Sequence, residues 1–288
     1  MGPDAALAAC RFLHDASAML LWGASVYLST LVPRNLAQDI GRRLRSFSVV
    51  ATAVAVATTA AALPLETAMI GEGWSDALNP ATVRDVLFDT SVGQAWQVQA
   101  VAALILTATL ALSPRRRQAA TALASGFLLA GIALTGHAVL QEGWIGAAHR
   151  INDAIHVFSA AAWLGALVPL LPILKTLNDP AHRFEATTAL MRFSATGHVA
   201  VALVIASGVI NTILILGQWP TDWSSPYQAM LASKIILVGI MVALATVNRY
   251  AFVTSGAVRA LRLGTVAEIV LGLCVVGLVS VFGMLEPI

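Results

Sequence analysis

Charge is scarce in this chain: Asp, Glu, Lys and Arg make up 11% of its 288 residues, against about a quarter in soluble globular domains. That shortage excludes an ordinary soluble fold. Cysteine is rarer still, with Cys10 and Cys274 alone, so neither a disulfide framework nor a CxxC site is expected; Cys10 keeps some interest because it stands four residues before His14. The methionines are scattered and form none of the MxxxM or CxC patterns expected of a soft Cu(I) conduit. A GxxxxGK[ST] phosphate loop, GxSxG and HExxH are also missing, which argues against nucleotide-driven pumping by this chain and against two common hydrolase chemistries. The reading is that of a protein that is not an enzyme.

What fills the chain instead is apolar. Hydrophobic residues reach 58% and the mean hydropathy is +0.80. A helix needs about 20 apolar residues to cross a ~30 Å hydrocarbon layer, and runs of that kind cover roughly 6–32, 46–68, 95–113, 119–140, 148–174, 190–217, 227–250 and 263–285. They lack the period-2 alternation of outer-membrane barrel strands. The expected fold is therefore all-α, a polytopic membrane protein of eight transmembrane helices forming one domain over 1–288. No cleavable signal peptide is evident, so the first segment is expected to remain as a helix.

Basic residues set the orientation. Connections 1–2, 3–4, 5–6 and 7–8, with their helix ends, hold 13 of the 17 Lys and Arg residues. The positive-inside rule then places both termini outside, in a bacterium the periplasm. The net charge of +2 thus reflects membrane topology rather than nucleic-acid binding. Trp74, Trp144, Trp219 and Trp223 fit an outer aromatic belt.

The two halves, 1–145 and 146–288, read as a duplicated unit of four helices each. Aligning His14 with His156 matches Ser17 with Ser159, Gly23 with Gly165 and Ala24 with Ala166, and the next helices open with Arg45, Phe47, Ser48 and Arg192, Phe193, Ser194. Both halves start on the same side, so a parallel repeat about an axis along the membrane normal is expected. The small residues on these helices allow close approach.

Ionisable groups inside a bilayer are functional-site candidates by default. His137, His149, Asp153 and His156 fall where one apolar segment ends and the next begins, and His14 lies at similar depth in the first. His149, Asp153 and His156 stand at i, i+4 and i+7, one face of a helix. Imidazole is the commonest protein ligand for transition metals and a carboxylate often orients it. His14, His137, His149, Asp153 and His156 are accordingly the candidate metal residues. Arg11 and Lys234 point into the outer half of their helices as supporting candidates, with snorkelling the simpler account of Arg11 and pairing with an acid or carbonyl that of Lys234. Trp163 lies too deep for the belt; packing is its simpler account, and it joins Arg11 and Lys234 as a supporting candidate. His198 and Glu268, each about two turns from the inner loops, are candidates for an inner path; Asn211 and Asn248 read as helix-packing hydrogen bonds. Histidine and carboxylate ligands suit Cu(II), Zn(II), Ni(II) or haem iron, and among the divalent ions the affinity order favours copper. Paired histidines on separate helices also suit axial haem ligation, as in a cytochrome b or a haem A synthase-like enzyme.

The segments Arg11-Phe12-Leu13-His14, Gly136-His137-Ala138, His149 to His156 followed by Ala162-Trp163-Leu164-Gly165, and Arg192-Phe193-Ser194 resemble the CopD family of bacterial copper-resistance and copper-uptake membrane proteins. So do Ser207-Gly208-Val209-Ile210-Asn211, Pro226-Tyr227 through Lys234, and Asn248-Arg249-Tyr250. The resemblance runs in order along nearly the whole chain. It implies an inner-membrane protein that moves copper from periplasm to cytoplasm beside a small periplasmic carrier of the CopC type, with family histidines corresponding to His14, His137, His149 and His156. The sequence departs near Gln99, where the family often has a basic residue. It shows no fused CopC-like domain, so the carrier is expected to be a separate chain. A non-transporting membrane partner of such a carrier is the remaining alternative.

Overall fold

A computed structural model describes residues 2–133 and 143–286 of the chain. Ten α-helices carry the described residues: α1 (Pro3–Thr30), α2 (Arg34–Arg43), α3 (Arg45–Ile70), α4 (Pro80–Asp89), α5 (Ser91–Thr109), α6 (Pro114–Ala133), α7 (Gly143–Thr176), α8 (Arg183–Leu216), α9 (Pro226–Val247) and α10 (Val258–Phe282). A π-helical turn, Asn248–Val253, extends α9. No β-strand occurs among these residues. Five elements are long and apolar enough to cross a membrane: α3, α7, α8, α9 with its π-helical turn, and α10.

Two short helices, α2 and α4, lie inside what the hydropathy pattern reads as loops. Their apolar content is too brief to register as a span. In α2, Leu36, Ala37 and Ile40 face inward, while Arg42 pairs with Asp39 on its surface. Local chemistry sets several boundaries. Thr90 caps α5 by accepting from Gly93 N at 3.0 Å, Ser225 caps α9 ahead of Pro226, and α8 ends on Gly217 in the left-handed conformation at φ 65°.

Helix α2, the start of α6 and the α7–α8 connection meet at one end of the bundle, where Gly41 lies against Gln118 and Asp39 against His182, and these segments carry many of the arginines. At the arginine-rich end His182 Nδ1 lies 2.8 Å from Asp179 and its Nε2 3.8 Å from Asp39. That histidine holds the exposed Asp179 carboxyl below the usual carboxylate range.

Helices α1 and α7 form the centre. One or both contribute to three of the apolar clusters: one with α3, α5 and α6, one with α2 and α8, one with α8 and α10. Their crossing is very close. A Cβ on Gly23 would stand 2.0 Å from the Ala161 carbonyl oxygen and 2.7 Å from Gly165 Cα, and one on Gly165 would stand 2.5 Å from the Met19 carbonyl oxygen. Only a hydrogen fits there. Tyr27 ties the same core to α8 by donating to the Ala189 carbonyl at 3.0 Å.

Outer helices expose the apolar faces that lipid covers. On α8 these include Val199, Leu203, Ile210 and Ile213, and on α9 Ile235, Ile236 and Ile240. Helix α3 packs against α5, whereas α8 and α9 scarcely touch each other. The space between them is a cavity of about 320 Å³.

Candidate metal site

His14 is carried by α1 and is 6% exposed. Its Nδ1 lies 3.3 Å from Thr58 Oγ1 and 3.4 Å from Thr59 Oγ1, both on α3. Its Nε2 is buried and has no hydrogen-bond partner among the described residues. Around it, Trp96 Nε1 donates to the Thr59 carbonyl at 2.7 Å and Cys10 Sγ donates to the Thr58 carbonyl at 3.3 Å. One turn toward the N-terminus, Arg11 pairs with Glu66 at 2.9 Å. Snorkelling was the simpler expectation for Arg11; instead a carboxylate on α3 holds it within the bundle wall.

The α7 residues are arranged in a comparable way. His156 Nδ1 faces the Val204 carbonyl at 3.2 Å and Ser207 Oγ at 3.0 Å, both on α8. Gly208 leaves room for the ring, since a Cβ there would be 3.3 Å from His156 Cε1. Asp153, one turn earlier, accepts from Asn211 Nδ2 at 3.1 Å. Asn152 completes the set by donating to Asn211 Oδ1 at 2.7 Å and to the Ser207 carbonyl at 2.9 Å. His149 is 1% exposed and within electrostatic reach of Asp153. Lys234 on α9 stands 5.8 Å from the centre of the Phe282 ring and within electrostatic reach of Asp153 and His156. It makes no ion pair within 4 Å among the described residues, a weaker form of the pairing expected for it.

His14 and His156 each precede their crossing glycine, Gly23 or Gly165, by nine residues. At 1.5 Å per residue both rings therefore sit about 13 Å along their helices from the crossing. Among the described residues no three His, Cys, Asp or Glu side chains converge on one ion position. His137 lies outside the described residues.

The inner candidates share one cavity. Glu268 and His198 both line the space between α8 and α9, with Tyr250, Asn248 and Trp163. Glu268 is 4% exposed; its Oε1 accepts from Asn248 Nδ2 at 2.6 Å and its Oε2 from Trp163 Nε1 at 3.2 Å. Asn248 Oδ1 is buried without a partner among the described residues. Trp163 and Asn248, read from the sequence as packing residues, thus hold an acid, and Asn211 holds another. His198 is exposed; its Nδ1 faces the Ser194 carbonyl at 2.6 Å and its Nε2 the Tyr250 hydroxyl at 3.4 Å.

Sequence reasoning passed over Thr58, Thr59, Ser207 and Asn152, which surround the histidines and Asp153, and Asp15 beside His14. A hydroxyl or amide in an apolar run carries no periodic signal of its own. Asp15 had one, because a carboxylate immediately after an intramembrane histidine is as costly there as Asp153. It lies within electrostatic reach of Arg11.

Residues 2–147 match the family described as copper resistance protein D-like, N-terminal domain, and residues 187–282 match the copper resistance protein D family. Inner membrane protein YebZ of Escherichia coli (strain K12) is 37% identical over 248 residues, covering 85% of this chain and 83% of that protein. Copper resistance protein D of Pseudomonas syringae pv. tomato is 30% identical over 74% of each chain. Copper transport protein CutJ of Bacillus subtilis (strain 168) is 29% identical over 70% of this chain and 38% of its own, longer length. No solved structure matches. The apolar spans and these relatives together make the chain a multi-pass inner-membrane protein, and it belongs to the copper resistance protein D family.

Proposed function

We propose that this protein passes copper ions across the inner membrane from periplasm to cytoplasm, starting from an outer histidine site. The observation that carries the reading is His14: a buried imidazole with one nitrogen hydrogen-bonded and the other without a partner among the described residues, in a chain of a copper-resistance family. His149 and Asp153 capture the ion, and His14, His137 and His156 take it over. His198 and Glu268 line the way inward. A small periplasmic carrier of the CopC type delivers the ion. No nucleotide is used; the membrane potential favours cation entry by about 2.3 kcal/mol per charge per 100 mV.

The topology in this reading has eight spans, with α1, α5 and α6 joining the five more apolar ones. Their lengths support it: α1 has 28 residues, α5 19 and α6 20, and about 20 suffice. Charges on α1 that lower its hydropathy, Arg11 among them, are engaged inside the bundle. The arginine-rich end faces the cytoplasm and both termini the periplasm. The Gly23–Gly165 crossing supports the 4+4 repeat, because residues matched by the repeat meet each other there.

Glu268 supports an inward station. A buried carboxyl held, among the described residues, by neutral donors and next to an amide oxygen without a partner there is a place where a passing cation finds oxygen ligands. Glu268→Gln keeps the shape and removes the charge. Uptake is expected to fall about tenfold or more, the equivalent of about 1.4 kcal/mol, while copper binding at the outer site persists. Equal uptake by this variant and wild type in copper-loaded proteoliposomes rules the station out.

The primary test is metal analysis with a visible spectrum of the purified protein. Bound copper without a Soret band, lost in His14→Ala and His156→Ala, is the expected result. A Soret band lost in those variants replaces copper by haem. Copper binding without transport in proteoliposomes leaves a docking partner for a copper carrier instead.

A further inference from the structure

Two histidines on different helices are held through the same nitrogen, by groups that leave one tautomer only. The Val204 carbonyl has no proton to give. At 3.2 Å from His156 Nδ1 it must accept one, so Nδ1 carries the ring hydrogen. Ser207 Oγ donates its own proton to the Leu203 carbonyl at 2.5 Å and therefore stands 3.0 Å from Nδ1 as a second acceptor.

His14 reaches the same state with different partners. Thr58 Oγ1 lies 2.8 Å from the Val54 carbonyl and 3.0 Å from that of Ala55, and Thr59 Oγ1 lies 2.8 Å from the Ala55 carbonyl. Each hydroxyl has one proton, and these shorter contacts to the α3 backbone take it. The two oxygens can then only accept from His14 Nδ1, at 3.3 and 3.4 Å. What remains at His14 is Nε2, buried and with its lone pair unshared among the described residues. Among the described residues His156 Nε2 has no hydrogen-bond partner either.

We propose that Thr58 and Thr59 on α3, and Val204 and Ser207 on α8, are positioning groups that hold His14 and His156 in the Nδ1–H tautomer, so that Nε2 is the metal-binding atom at both. The metal half of this statement rests on the copper reading above. A neutral imidazole whose second nitrogen is engaged as a donor is the form in which histidine ligates metals, and the partner of that N–H sets ring orientation and basicity. His198 shows the contrast. It has the same tautomer, with Nδ1 on the Ser194 carbonyl, but its Nε2 lone pair is covered by the Tyr250 hydroxyl. The tautomer is shared by all three; the open Nε2 belongs to His14 and His156.

The test is nitrogen-15 NMR of the full, histidine-labelled protein in nanodiscs, metal-free at mildly alkaline pH, with the two signals assigned through His14→Gln and His156→Gln. Both residues are expected to show a protonated Nδ1 and an unprotonated Nε2. Thr58→Val with Thr59→Val should move His14 toward the Nε2–H form and weaken Cu(II) binding about 10–100-fold in a titration. Thr58→Ser with Thr59→Ser should restore both, which a loss of packing alone does not predict. Ser207→Ala should change less, because the Val204 carbonyl still accepts. An Nε2–H tautomer at either histidine in the wild type, or a His14 tautomer unmoved by the double valine, overturns the positioning assignment. The wild-type spectrum decides this even where a variant fails to fold. Nδ1–H tautomers in a protein that takes up no Cu(II) keep the positioning assignment and overturn the copper reading.

Discussion

Copper uptake into proteoliposomes is expected to fall to background when either His14 or His156 is replaced by alanine, with expression and thermal stability close to wild type. The separation of the two effects follows from what each ring contributes. Removing His14 deprives Thr58 and Thr59 of a donor, but both hydroxyls keep their bonds to the α3 backbone, so the stability cost is about 0.5–1.5 kcal/mol. Removing the ligand atom is different in kind. Loss of a group that merely orients a ligand costs about 10–100-fold in metal affinity, and loss of the ligand itself exceeds that. His182→Ala is the matched control, since that ring sits at the arginine-rich end against Asp39 and Asp179 and its removal is expected to leave uptake unchanged. Wild-type uptake in both His14→Ala and His156→Ala would remove these residues from the path.

Gly23→Ala and Gly165→Ala are each expected to destabilise the fold by about 3 kcal/mol or more, the upper end of the range for overpacking. Read by fluorescence-detected size exclusion after heating, both lose their monodisperse peak well below wild type. The reason is what a methyl group meets: the Ala161 carbonyl oxygen at 2.0 Å from one position and the Met19 carbonyl oxygen at 2.5 Å from the other. Backbone atoms yield only if the helices separate, and α1 and α7 are the helices on which the three large apolar clusters are built. Gly197 and Gly239 provide the comparison, each with nothing within 4 Å of an added Cβ. Alanine there removes a flexible residue from a helix and stabilises by up to about 1 kcal/mol. Equal stability of Gly23→Ala and Gly239→Ala would mean that α1 and α7 do not cross so closely.

These two sets of residues show what linear order reveals and what it hides. His14 and His156 are conspicuous because an imidazole inside twenty apolar residues is costly without a purpose, and that cost is a property of the segment itself. Glu268 is conspicuous for the same reason. Gly23 and Gly165 emerge from aligning the two halves, although a glycine in an alanine-rich helix does not announce whether anything lies against it. Thr58, Thr59 and Ser207 are nearly invisible, since hydroxyls in membrane helices routinely bond their own backbone, as these do. Only their distance to a ring on another helix gives them a role. Arg11 is an intermediate case: its depth was legible, its partner Glu66, 55 residues away, was not.

From the sequence alone came the helical class, the membrane environment, the family and the place of the polar residues within apolar segments, because each depends on composition, periodicity and order along one chain. The tertiary structure decided which residues face one another. It brought the α3 threonines and the α8 serine to the histidines, joined Trp163 and Asn248 to Glu268, and left α8 and α9 apart around the cavity that Glu268 and His198 share. The physical reason is that a helix's apolar face is equally content against lipid or against another helix. Hydrophobicity therefore sets how deep a residue lies, while contact is chosen by small residues that admit a neighbouring backbone and by the few hydrogen bonds that must close inside the bundle.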